Sequence, residues 1–289
     1  DDTISVLSKA KDSFESQKKD FGNFRKNYQK NIRNHILTFL IIVLILIYLR
    51  HRVDKWSIQL ENEKTKTSIY VINRPFMVAL TIALLITLYY YPEAPQTVIN
   101  LIYLLSIIPI LFLLPGMFPN FKRIYIYLFA VLFLLSEVSL FFERYYILDR
   151  ISLLIFDLFA IGAFIYSIRP QSSLIIELRA MGMRFAITLL NLIFIFILIG
   201  TISNILGNTV LSNSLSHGAF ITYFSGVLIY TGSKILKSFV HLLTLSNLSK
   251  TLNVLQKYPK EISKGLINVI NIGAAFYWIY VVLDLFLIY

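Results

Sequence analysis

The 289-residue chain contains no cysteine. That excludes disulfides and thiolate metal sites, though it assigns no compartment. Glycine is sparse, at 11 residues. No Gly-rich phosphate loop occurs, and no apolar run repeats glycine and alanine at regular helical spacing. The chain therefore offers no obvious pore-lining helix of its own, and no run reads as polar along one face. Histidine occurs four times, at His35, His51, His217 and His241, and never as H-E-x-x-H or an H-x4-D pair. Each sits near the end of an apolar run, where an amphipathic ring is comfortable. Serines are frequent, but no G-x-S-x-G elbow frames one. These absences leave no catalytic set, no cofactor site and no metal site, and an enzyme is not expected.

What is abundant is apolar. Hydrophobic residues make up 57% of the chain and charged residues 15%, with a mean hydropathy of +0.69. Soluble domains run about 45–50% apolar, so the composition is that of a membrane protein. At about 20 residues per span there is room for about eight spans with short loops. The net charge of +11 does not point to nucleic acid, because no soluble basic domain carries it. Lysines and arginines that fix topology explain it better. The 23 phenylalanines and 18 tyrosines suggest a lipid-facing assembly, with membrane lipids as partners. Asp1 opens the chain without a methionine or a signal-peptide pattern, so a processed chain or a piece of a longer one is expected.

The fold expected is all-α, a polytopic membrane bundle with amphipathic connecting helices. Residues 1–34 are polar, with Leu7, Phe14, Phe21 and Tyr28 at a strict seven-residue step and Ala10 and Phe24 as a second partial row. They read as an extramembrane helix with a narrow apolar seam. It is either a solvated lead-in to the membrane or the end of a larger coiled coil. A transmembrane domain then fills 35–289, its first span starting just before that boundary. The spans fall at 32–49, 75–91, 98–114, 124–142, 151–168, 185–206, 219–236 and 266–289. Pro75 suits a first helical turn, and Tyr89, Tyr90 and Tyr91 form an aromatic belt at the far end of that span. Pro109 should kink the third span, and Pro115 and Gly116 should end it. Residues 50–74 read as a charged loop. Residues 169–184 and 237–264 read as amphipathic helices on the membrane surface, the second with Leu242, Leu245, Leu248, Leu252 and Leu255 at helical spacing.

Charge orients the chain. With the amino end outside, the inner segments hold seventeen lysines and arginines, and the outer loops after the first span hold only Arg144 and Arg150. This is a strong positive-inside bias. The eight basic residues of the amino-terminal segment oppose it, but a translocated domain largely escapes the rule. Both ends are expected outside.

Four acids lie within or near the spans: Glu137, Asp157, Glu177 and Asp284. Ionisable groups in lipid are costly, and they serve ion pathways or interhelical hydrogen bonds. Asp157 is the deepest. Small residues cluster at Ala160, Gly162 and Ala163 and again at Gly273, Ala274 and Ala275, where helix backbones can approach closely within one subunit.

The most distinctive wording is a polar pause between two apolar runs, "GTISNILGNTVLSNSLSHGAF", Gly200 to Phe220. It reads as a short outer turn, with Gly207 and Gly218 letting the chain reverse. The longer stretch Ile197 to Leu236 resembles the helical hairpin of large mechanosensitive channels of the MscS superfamily, in the MscK-like branch. The pairs Arg74-Pro75 and Arg169-Pro170 at loop–membrane borders are similar to that family. So is the last span with Trp278, "AFYWIYVVLDLFLIY". The resemblance covers most of the chain. It implies the peripheral helical domain of a bacterial inner-membrane channel subunit, without the pore helix and cytoplasmic vestibule that follow in the family. It also implies a homo-oligomeric ring, a heptamer by analogy, that senses bilayer tension and releases ions under osmotic stress. Two other readings stand beside it: a secondary transporter or permease with Asp157 and Glu137 as working acids, and the membrane input domain of a signalling receptor.

Overall fold

Long apolar runs have one way to bury their backbone polar groups in lipid, which is to pair them within the run as helix. The computed structural model describes residues 15, 18–19, 21–53, 63–118, 122–140, 146–245 and 259–286, and among these it is all-helical. Eleven helices follow in order. They are α1 (Gln29–Val53), α2 (Glu63–Ile72), α3 (Pro75–Leu85), α4 (Thr87–Tyr90), α5 (Gln96–Met117) and α6 (Arg123–Leu140). After these come α7 (Tyr146–Ile168), α8 (Ser173–Ala180), α9 (Arg184–Ile205), α10 (Thr209–Leu245) and α11 (Pro259–Leu285). Six of them, α1, α5, α7, α9, α10 and α11, are long and apolar enough to cross a membrane, and the bent pair α2–α3 makes up to seven.

α10 is the axis of the bundle. It packs against α9 and α11 over long faces, and it also touches α2, α3, α5, α6 and α7. Within their most apolar stretches, 67% of α10 is buried but only 6% of α1 and of α11. The last two therefore present almost bare apolar faces. Around α10 the core is aromatic, with Phe133, Phe156, Phe164 and Phe220 all fully buried.

Several expected boundaries move, each for a physical reason. The polar pause is not a loop. Only residues 206–208 turn, and α10 begins at Thr209. α9 closes in a Schellman cap: Gly207 takes φ +90, its N–H bonds Asn204 O at 3.0 Å, and the Asn208 N–H bonds Ser203 O at 2.9 Å. Asn208 Oδ1 then accepts the Leu211 N–H at 3.1 Å to start α10. Gly218 is an ordinary helical residue that faces the Phe286 ring, so it reverses nothing.

The span expected over 75–91 breaks at Ile86, between α3 and α4. The break frees the Leu85 carbonyl, and the Tyr277 hydroxyl of α11 donates to it at 2.7 Å. Beyond the break, Tyr90 and Tyr91 turn inward to α1. The Tyr90 hydroxyl meets Thr38 Oγ1 at 2.7 Å, Asn31 donates to Tyr90 O at 2.7 Å, and His35 stacks on Tyr90 at 4.7 Å. Only Tyr89 faces outward, 83% exposed, so the belt of three reduces to one. The seven-residue seam also shifts. Phe24, from its second row, is the buried residue, packed on Tyr91 and Val98, while Phe21 is exposed. Leu7, Ala10 and Phe14 lie outside the described residues.

Pro115 and Gly116 do not end α5, which continues to Met117. Gly116 serves a close approach instead: the Tyr70 ring of α2 occupies the place a Cβ would take, and its hydroxyl donates to Phe112 O at 2.7 Å. The loop 50–74 thus holds a packed helix, bent 86° from α3. We expect Gly116→Ala to cost about 1–3 kcal/mol by overpacking. An SDS titration of the folded fraction in mixed micelles checks this, with Gly162→Ala, whose Cβ would meet nothing, as the silent control.

Residues 169–184 do form a short helix, α8, with Ser172 Oγ accepting the Ile175 N–H at 3.2 Å as its N-cap. Leu174, Ile175 and Leu178 bury it on the bundle. α7 starts at Tyr146, five residues before the expected 151, and α11 starts at Pro259. Of the surface helix expected over 237–264, residues 237–245 extend α10 and 259–264 begin α11. Leu242 is buried, while Leu248, Leu252 and Leu255 lie outside the described residues.

Candidate functional site

α10 brings seven buried hydroxyl residues into the bundle: Ser212, Ser216, Thr222, Ser225, Thr231, Ser233 and Ser238. The apolar run conceals them, because serine and threonine in a helix can return their hydroxyls to a carbonyl three or four residues back. Ser225 does so to Thr222 O at 2.9 Å and Thr231 to Val227 O at 2.8 Å. Ser212 and Ser216 do not; their oxygens are buried without a hydrogen-bond partner. These hydroxyls are spread around α10 rather than gathered on one face, at about 100° per residue.

Ser216 meets two residues singled out from sequence. Asp157 of α7 is fully buried, and the hydroxyls of Ser216 and Thr201 lie beside its carboxyl. Neither carboxyl oxygen closes a well-formed hydrogen bond. The Thr201 hydroxyl donates to Ile197 O at 2.7 Å. Gly200 makes the meeting of helices possible, since a Cβ there would overlap Ser216 Oγ and lie 3.2 Å from Ser212 O. Asp157, Thr201, Gly200, Ser212 and Ser216 thus bring three helices to one buried, oxygen-rich point.

Glu137 is a further buried acid, on α6 with Oε1 unpartnered, and its neighbour Ser136 bonds His217 Nδ1 at 2.6 Å. His217 is partly buried and bridges α10 to α6. The remaining histidines are structural: His241 bonds Thr65 at 3.2 Å, His35 packs on Tyr90, and His51 is exposed. Among the described residues no group of three or more His, Cys, Asp or Glu could hold a metal ion.

The other predicted positions are scattered. Arg74 caps the bend before α3, its guanidinium 3.6 Å from the Tyr70 ring centroid. Arg169 is exposed in the link to α8. Gly207 holds the turn between α9 and α10, where Tyr146 donates to its carbonyl at 3.4 Å. Trp278 of α11 donates to Thr222 O at 3.1 Å and stands edge-on to Phe185 at 5.8 Å. Ala160 and Ala163 pack into the core, but Gly273 is exposed with nothing near it. Of the second small-residue patch, Ala274 and Ala275 line the cleft against α10 while Gly273 does not.

Trp278 borders a cavity that no sequence signal announced. It is an apolar cleft of about 450 Å³ between α5, α6, α8, α9, α10 and α11, lined among others by Phe129, Leu189, Val227 and Ala275. Lys237 closes one end, and Lys234 sits 5.4 Å from the Phe118 ring centroid and 5.8 Å from that of Tyr230. The arrangement is a greasy slot with Ser233 and Lys237 among its few polar lining residues.

Comparison with protein-family models, curated proteins and solved structures finds no match.

Proposed function

We propose that this chain is the peripheral, tension-sensing membrane block of a mechanosensitive ion-channel subunit. The observation that carries the reading is the cleft. A slot of about 450 Å³ lined by apolar side chains does not stay empty in a bilayer, and lipid chains fill it. Stretching the bilayer changes how well they do so, and the cleft then biases a closed–open equilibrium by the difference in free energy between its two packings. The bare faces of α1 and α11 suit lipid or a neighbouring copy, in keeping with a homo-oligomeric ring. α8, lying against α9 at the cleft, is the coupler.

In this reading α3 with α4 and α6 supply two further crossings, eight in all, in a bacterial inner membrane with both ends outside. The basic segments then lie inside, including Lys234 and Lys237 at the cleft rim. Leu49, Ile72, Phe239 and Leu242 meet at that inner end.

The test is patch-clamp of the full-length subunit under suction. Ala275→Trp, which fills the cleft permanently, is expected to raise the opening pressure by about 1.5-fold or more, because a filled slot mimics the lipid-loaded closed packing. An unchanged threshold in both that variant and a deletion of these spans would sink the sensing role. A second reading, a secondary transporter, rests on one observation: Asp157 is buried with both carboxyl oxygens unpaired. There Asp157→Asn abolishes transport, whereas a sensor retains its threshold.

A further inference from the structure

The bundle holds a carboxyl group that nothing in the fold neutralises. Asp157 is fully buried, and no hydrogen bond reaches either oxygen. The nearest cation along α7, Arg150, is committed elsewhere: its Nη2 donates to Asn204 O at 3.0 Å, and Asn204 returns a bond to Arg150 O at 3.0 Å. His217, on the neighbouring face of α10, is committed to Ser136. An isolated buried carboxylate is costly, so the group either holds a proton or faces a compensating cation.

The surroundings indicate which. The hydroxyls of Ser216 and Thr201 flank the carboxyl, and Ser216 Oγ and Ser212 Oγ are themselves fully buried and unpartnered. Ser212 and Ser216 are one helical turn apart and share a face. Orphan buried hydroxyls on that face, beside an orphan carboxyl, form a set of acceptors awaiting one positive centre. Hard oxygen donors select hard cations, and neither thiolate nor imidazole joins them. A single carboxylate balances a single charge, so a divalent ion would keep a net charge in the bundle. Gly200 brings α9 hard against Ser216, which favours the smaller of the common monovalent ions.

We propose that Asp157, Thr201, Ser212 and Ser216 form a sodium-binding site that ties α7, α9 and α10 together. The site is independent of the cleft and of the tension reading. Its role is to hold the outer half of the bundle in one packing while sodium is bound.

The experiment uses the purified full chain in lipid nanodiscs at mildly alkaline pH. Thermal unfolding is followed in sodium, potassium and choline chloride at equal ionic strength. Sodium is expected to raise the midpoint saturably by several degrees, as a ligand that binds only the folded state does. Potassium and choline are expected to leave it in place. Asp157→Asn, close to isosteric, should abolish the difference, and Ser216→Ala should raise the half-saturating sodium concentration about tenfold, the loss of one ligand worth about 1.4 kcal/mol. Direct binding of radioactive sodium to the wild-type chain gives a readout that does not depend on the variants folding. Equal midpoints in all three salts overturn the proposal. So does a sodium response that survives in Asp157→Asn, or stabilisation that follows acid alone, which would mean a protonated carboxyl.

Discussion

Gly200→Leu is expected to unfold the α9–α10 hairpin. At Gly200 even one added carbon overlaps Ser216 Oγ and comes within 3.2 Å of Ser212 O, with Ser216 Cβ at 3.3 Å. A serine oxygen can rotate away, but its Cβ and a backbone carbonyl cannot. Inserting single methylenes into a packed core costs about 1–3 kcal/mol; an isobutyl group needs four carbons of space, so the loss should be at least about 3 kcal/mol. That is a large share of the roughly 5–15 kcal/mol that holds a typical protein together. The folded fraction in an SDS titration should fall accordingly. Gly162→Leu, at an exposed position where a Cβ meets nothing, should leave it unchanged. Adding Ser216→Gly to Gly200→Ala should recover most of the smaller loss in that variant, because the two sites share one contact. If the double variant were no better than the single one, the close approach at Gly200 would not be what limits the packing.

That contact also marks where reading the sequence succeeds and where it stops. The spanning helices were legible because lipid leaves an apolar run no other structure. Asp157 was legible as the deepest acid. Its partners were not, since Thr201 and Ser216 come from distant parts of the chain and an isolated serine carries no signal. The polar pause shows the same limit from the other side. Serine and asparagine favour turns, so 207–218 reads as a loop. Within the bundle, however, Gly200 and Asp157 give that stretch a polar partner, and it folds as the first turns of α10. The break at Ile86 depends on Tyr277, nearly two hundred residues away, accepting responsibility for one carbonyl. The cleft was invisible for a different reason: it is a place where side chains fail to meet, and composition records only that they are apolar.

Phe133→Ala is expected to be the most damaging truncation in the core. Phe133 of α6 is fully buried and stacks on Phe224 of α10 with centroids 3.9 Å apart, with Phe220 at 6.4 Å. In water such a truncation costs about 3–5 kcal/mol, part transfer and part cavity. In a bilayer the transfer part shrinks, because lipid is as apolar as the core and helices associate through packing. The low end, about 3 kcal/mol, is therefore the expected loss for Phe133→Ala. A double-mutant cycle with Phe224→Ala separates the terms: a coupling of about 0.5–1.5 kcal/mol belongs to the aromatic pair itself, and the rest to the hole left beside α10. Because α6 also lines the cleft through Phe129 and Ala130, loosening its seat should enlarge that slot as well. Under the tension-sensing proposal, the same variant in the full-length subunit is then expected to shift the opening pressure opposite to Ala275→Trp, toward lower values. Loss of stability with an unmoved threshold would separate the packing of α6 from the working of the cleft.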